Sequence, residues 1–195
     1  MKPDLTDPHV QRIDRLAISA GLTVSERAYV LATAYHETGA FRWLREIWGP
    51  TKAQQRYEGR ADLGNNVPGD GKRYLGRGYV QITGRRNYAD WGRRLGLDLT
   101  ARPELAEEPE TAATILVEGM RLGTFTGQSL ADHFGAGRAE YLAARAIVNG
   151  TDRAGLIAGY ARDFEGALQA VEKPAKTRWL TGLLRRITDL FRRKQ

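Results

Sequence analysis

The chain has 195 residues, 42% of them apolar and 27% charged, with no cysteine. A chain of this size buries roughly 70% of its unfolded surface; the composition excludes a disordered or membrane-embedded class, and the absence of cysteine excludes disulfide scaffolds, zinc–thiolate sites and thiol nucleophiles. The formal charge of +7 is uneven: residues 172–195 hold eight Lys and Arg against two acids, so residues 1–171 are close to neutral and carry no basic stripe for specific nucleic-acid binding.

Asp7-Pro8 reads as an N-cap followed by proline in the first helical position, and Gly21 stops that helix. Val10, Ile13, Leu16, Ala17 and Ala20 share one of its faces. Thr23 and Glu26 form a capping-box pattern for a second helix, with Val30, Leu31, Ala34 and Tyr35 on its apolar face and Gly39 as terminator. Residues 42–47 read as a short turn of helix. From Trp48 to Lys72 the periodicity disappears, and a long irregular stretch inside a compact domain points to function or disorder. Tyr57 and the turn signals Asn65-Asn66 and Gly69-Asp70-Gly71 favour an ordered loop. A hairpin-sized patch follows over Tyr74–Thr83, with Val80 and Ile82 expected on one face and Tyr79, Gln81 and Thr83 on the other. Helical patterns then recur at about 85–95, 109–122, 129–134, 139–148 and 152–171, punctuated by Gly96, Gly123, Gly135 and Gly150. The fold class is mainly α with one small sheet element.

Several chemistries drop out. His36-Glu37 opens like a metalloprotease helix, but the second histidine is missing, and His9, His36 and His133 are too scattered for a metal site. There is no nucleophile elbow and no phosphate or dinucleotide loop, so no cofactor is expected. A carboxylate system remains. Glu37 ends an apolar helix, and Glu58 lies 21 positions on in a loop long enough to fold back across a cleft. Facing carboxyls suit glycoside hydrolysis: a protonated one donates to the leaving oxygen, and the other activates water or attacks the sugar. Gln81 and Thr83 would hold a water or a sugar amide between them. Spacing alone also allows a helix-end charge and a solvated loop residue.

Three segments carry a resemblance. Ala34-Tyr35-His36-Glu37-Thr38-Gly39, the loop Tyr57-Glu58-Gly59-Arg60 with Leu63-Gly64-Asn65 and Pro68-Gly69-Asp70-Gly71, and Gly76-Arg77-Gly78-Tyr79-Val80-Gln81-Ile82-Thr83-Gly84 with Asn87-Tyr88 occur in order. Together they resemble glycoside hydrolase family 19, meaning chitinases and the related phage and prophage endolysins, with the loop closer to the endolysin branch. The resemblance implies a lysozyme-like, two-lobed α-helical domain over residues 1–171 with a small β-hairpin beside the cleft. It also implies inverting hydrolysis of a β-1,4 bond next to N-acetylglucosamine. Glu37 would be the general acid, Glu58 the base and Thr83 the holder of the attacking water. His36, Gln81, Asn87 and Asn149 would bind or support substrate. An inverting pair should lie about 6.5–9.5 Å apart. The chain departs from plant chitinases in lacking cysteine. An arginine that some members place after the Asn-Gly turn has no clear counterpart, since Leu156 falls near that position and Arg153 is only a stand-in.

The opening MKPDLTDPHV lacks the apolar run of a signal peptide. With the endolysin-like loop, this leads to the expectation of a monomeric murein hydrolase acting on peptidoglycan, made in the host cytoplasm and released by a holin, with a chitinase or a non-catalytic wall binder as alternatives. Residues 177–194 repeat Trp179, Leu180, Leu183, Leu184, Ile187, Leu190 and Phe191 at helical spacing, opposite arginines. Residues 172–195 are therefore expected to form a basic amphipathic helix, which either docks on the domain or contacts anionic membrane or lipopolysaccharide.

Overall fold

A computed structural model describes residues 1–172. The expected basic helix lies outside the described residues. The architecture is mainly α-helical with one small sheet, as expected.

Helix α1 spans Pro8–Ser19, and the Asp7 carboxylate accepts from the His9 and Val10 amides at its N-terminus. Helix α2, Val24–Glu37, opens with the expected capping box between Thr23 and Glu26. Both caps tie up orphan amides, each contributing about 1 kcal/mol. The sequence predicts one apolar face on α2, yet every residue from Arg27 to Ala34 is buried. It is the central helix of the domain, enclosed by α1, by α6 (Pro109–Leu122) and by the helix over 154–172. Burial on all sides explains why its apolar residues run together without a clean stripe. Within this buried run the charge of Arg27 is held by Asp14 at 2.7 Å and Glu172 at 2.6 Å.

After Glu37 the chain turns sharply through Gly39, Ala40 and Phe41, all left-handed with φ of +59°, +64° and +62°. Thr38 pins this turn: its hydroxyl donates to Ala34 O and accepts from Phe41 N. The next segment corrects an expectation. Residues 42–47 are not helical. Glu46 N donates to Gly76 O and Gly78 N to Leu44 O, so 44–46 lies extended beside 76–78.

The Tyr74–Thr83 patch also differs from a simple alternating strand. Arg77 bridges both Arg45 and Ile82, and residues 78–81 form the tight turn, with Gln81 left-handed at φ +52°. Tyr79, Val80 and Ile82 are all buried, because the turn redirects Tyr79 into the core. The regular two-stranded sheet lies elsewhere, between β1 (Phe134–Gly135) and β2 (Arg138–Ala139).

The 48–72 stretch is ordered, carrying short helices α3 (Lys52–Gln55) and α4 (Asp70–Arg73) and a 3₁₀ turn over Ala61–Leu63. Helices α5 (Arg85–Leu95) and α6 match their predicted spans, ending at left-handed Gly96 and Gly123. Helix α7 is Leu130–His133. The helix expected at 139–148 is instead β2 followed by a 3₁₀ segment, Ala143–Ile147.

Candidate active site

Glu37 is the last residue of α2, with its side chain 20% exposed. Arg145 Nη1 donates to its Oε1 at 2.7 Å. The arginine comes from the 3₁₀ segment, and its side chain is 4% exposed. Its Nε donates to Asp152 O at 3.0 Å, and its own carbonyl accepts from Asn149 N at 3.0 Å. Arg145 thus fastens the end of α2 to the 148–152 turn, which carries Asn149. Asn149 is exposed, with its Oδ1 accepting from Gly150 N. Arg153 is exposed, with its Nε 4.0 Å from Asp152 Oδ1. His36 is half-buried, and burial lowers its pKa. Glu37 opposes that shift, while Arg145 and Arg153 reinforce it.

A second group of side chains lies on the 44–46 and 76–83 segments. Glu46 is half-buried. Its Oε2 accepts from Gly76 N at 3.0 Å, and its Oε1 accepts from Gln54 Nε2 at 2.9 Å. A Cβ added at Gly76 would lie 2.9 Å from Gln81 Oε1 and 3.3 Å from Glu46 Oε2. Glycine is therefore what lets Glu46 and Gln81 share one wall. Gln81 Nε2 is fixed by Gly78 O at 2.8 Å, leaving its carbonyl oxygen on that wall. Thr83 Oγ1 donates to Gln81 O at 3.1 Å, and Asn87 Nδ2 to Thr83 O at 2.8 Å. Gln81, Thr83 and Asn87 are therefore linked by hydrogen bonds along one edge, as their common motif suggests.

Glu58 sits differently. It is exposed, and its oxygens accept from Gly69 N at 2.6 Å and Gly71 N at 2.9 Å. A Cβ at Gly71 would meet Glu58 Oε2 at 2.7 Å, so the glycine-rich loop is shaped around this carboxylate. The loop is tied to α5 by fully buried Asn65, which donates to Tyr57 O and accepts from Arg85 N, and by the Asp70–Arg85 ion pair. The Arg85 hydrogen bond holds the Asp70 carboxyl below its ordinary range.

Glu46 and Arg145 were not singled out from the sequence. Only Arg145 had a signal there. For Glu46 the alternation exists only in the structure, where Trp43, Arg45 and Ile47 are exposed and Leu44, Glu46 and Trp48 are half-buried. That is the mark of an extended strand whose inward face carries a carboxylate. Arg145 is a lone charge inside the otherwise apolar run Tyr141–Val148, and a buried charge needs a partner.

No family model matches the chain. An endochitinase of Arabidopsis thaliana is 37% identical over 93 residues, covering 47% of this chain and 33% of its own. A Haemophilus influenzae protein described as containing a glycosyl hydrolase family 19 domain is 30% identical over 139 residues, covering 54% of this chain and 66% of its own. The chain therefore spans about a third of the length of the plant relative. A bacterial family 19 chitinase of known structure aligns with 82% of this chain and 88% of its own, at TM-score 0.41 and 18% identity. By sequence, about half of the chain is similar to endochitinases and to a protein with a glycosyl hydrolase family 19 domain.

Proposed function

We propose that the chain hydrolyses a β-1,4 glycosidic bond beside an N-acetylated sugar, with Glu37 as proton donor and Glu46 as the base that activates water. The observation carrying this reading is that each carboxylate is half-buried and held by fixed donors, Glu37 by Arg145 and Glu46 by Gln54 and Gly76. Glu37 gives its proton to the leaving oxygen as the bond to the anomeric carbon breaks. The Arg145 guanidinium lowers the cost of the negative charge left behind. Glu46 takes a proton from a water, whose oxygen bonds to the anomeric carbon from the opposite face, inverting the configuration. The Thr83 hydroxyl orients that water. Gln81 offers its free carbonyl oxygen to an acetamido N–H, and His36, Asn87 and Asn149 bind hydroxyls.

We favour Glu46 over Glu58, the base that the resemblance implies. Both carboxylates have both oxygens hydrogen-bonded, but Glu46 is half-buried on the wall it shares with Gln81, whereas Glu58 is exposed. Replacing each by Gln separately tests the assignment.

Peptidoglycan is the substrate favoured by the endolysin-like loop, whose order rests on Glu58, Asn65 and Asp70. The corresponding role is lysis of a bacterial host after release from its cytoplasm through a holin. The plant relative is named an endochitinase, which supports chitin as the second reading. Turbidity loss of permeabilised Gram-negative cells, measured beside release of reducing ends from chitin oligosaccharides, decides between them. Activity on chitin alone overturns the peptidoglycan assignment.

A further inference from the structure

Beyond the carboxylates, one aromatic pair lies on the Glu46 side outside the hydrophobic core. Trp48 and Tyr57 stand with ring centroids 6.4 Å apart and planes tilted 43°. Both are half-buried, and neither belongs to the hydrophobic core or to the side chains packed against it. The Tyr57 hydroxyl lies 3.5 Å from Glu46 Oε1. Trp48 is on the same face of the extended segment as Glu46, opposite Trp43 and Ile47.

The segment carrying Trp48 is held by Gln54, which is 4% exposed. Its Nε2 donates to Glu46 Oε1 at 2.9 Å and to Ile47 O at 2.8 Å. Its Oε1 accepts from Gly49 N at 3.0 Å and from Thr51 N at 2.8 Å. All four hydrogen-bonding positions of the amide are filled. The Thr51–Gln54 capping box starts α3, and Asn65 holds Tyr57 O. One buried amide therefore ties Glu46 to residues 47–51, and Tyr57 stands beside the carboxylate with Trp48 against its ring. A ring pair held this way, outside the core and half-open to solvent, is preorganised to receive a ligand.

The chemistry of that ligand follows from the surface. In a β-linked N-acetylated pyranose the substituents are equatorial, so each ring face presents only C–H groups and the rim carries hydroxyls and the acetamide. An indole face meets the first, and a phenol with a carboxylate meets the second. We propose that Trp48 and Tyr57 form a binding platform for one pyranose ring of a β-1,4-linked N-acetylated glycan, Trp48 stacking on the ring face and Tyr57 hydrogen-bonding its rim beside Glu46. This rests on the glycosidase reading, because it requires the Glu46 wall to face substrate.

The test uses the full chain carrying Glu37→Gln, which binds without turnover, titrated with N-acetylglucosamine tetramer by calorimetry. Trp48→Leu keeps bulk without an aromatic face and should raise Kd about tenfold, while Trp48→Phe should stay within about threefold. With Glu37 intact, Trp48→Leu should raise KM for the same oligosaccharide about tenfold with kcat within about threefold. Thermal unfolding of each variant should match that of its parent. A Trp48→Leu protein with the parent's Kd and KM overturns the platform while leaving the glycosidase reading standing. If Trp48→Leu and Trp48→Phe lose binding equally, the ring serves only to pack the loop, and the proposal is overturned. A parent that neither binds nor cleaves the tetramer or muropeptide strands overturns both.

Discussion

Arg145 reaches Glu37 Oε1 at 2.7 Å from a segment 108 residues away in sequence, and its guanidinium is the more deeply buried partner. The pair joins the end of the central helix to the turn carrying Asn149, so it holds both the proposed proton donor and the path of the chain around it. Removing one member of a buried pair strands the other, at about 3–5 kcal/mol. Arg145→Ala should therefore destabilise the fold by about 3 kcal/mol in urea denaturation and reduce hydrolysis more than tenfold. Arg145→Lys keeps the charge but loses the fork that also serves Asp152 O, and should fall in between. In a double-mutant cycle with Glu37→Gln the two changes should be strongly non-additive. A loss below about 0.5 kcal/mol for Arg145→Ala would show that the pair is not what fastens α2 to the turn.

The three glutamates separate by substitution. General acid–base groups contribute typically about 10²–10⁴-fold. Glu37→Gln and Glu46→Gln should each lose at least about 100-fold in reducing-end release, with circular dichroism unchanged. Glu58→Gln keeps one acceptor for the loop amides and should cost about 1 kcal/mol in stability with activity within a few fold. The reverse order, with Glu58→Gln dead and Glu46→Gln active, would return the base role to Glu58.

Burial holds the His36 pKa below its ordinary value of 6.5, with Arg145 and Arg153 acting in the same direction and Glu37 and Asp152 against it. For a histidine depressed in the folded state, the unfolded chain takes up the proton first. Its stabilising contribution is complete above pH 6.5 and is lost as the pH falls through the folded value. Urea midpoints measured from pH 8 to pH 5 should therefore decline less steeply in His36→Gln than in the parent. Parallel slopes would show that His36 is not the group responsible.

Much of this was legible in the residues themselves. Asp7-Pro8 and the Thr23–Glu26 box mark helix starts because capping is local chemistry, and the motif around Gln81, Thr83 and Asn87 stays together because it is contiguous. Long-range pairing was not legible. Nothing near Arg145 in sequence announces Glu37. The extended 44–46 segment forms only because 76–78 lies beside it, so its own pattern read as a turn of helix. Tyr79 escaped the predicted alternation because Gln81 adopts a left-handed conformation that only the tight turn imposes. Glu58 drew attention by sitting in a glycine-rich loop, and the same glycines turn out to be its hydrogen-bond donors.

Stereochemistry tests the central claim, a proton donor at Glu37 opposed by a base at Glu46 with water between them. Proton NMR of the first minutes of hydrolysis of an N-acetylated β-1,4 oligosaccharide reads the anomer released at the cleaved sugar before mutarotation mixes the two. The account predicts the α-anomer. Initial release of the β-anomer would mean a covalent or otherwise retaining route, and would contradict it.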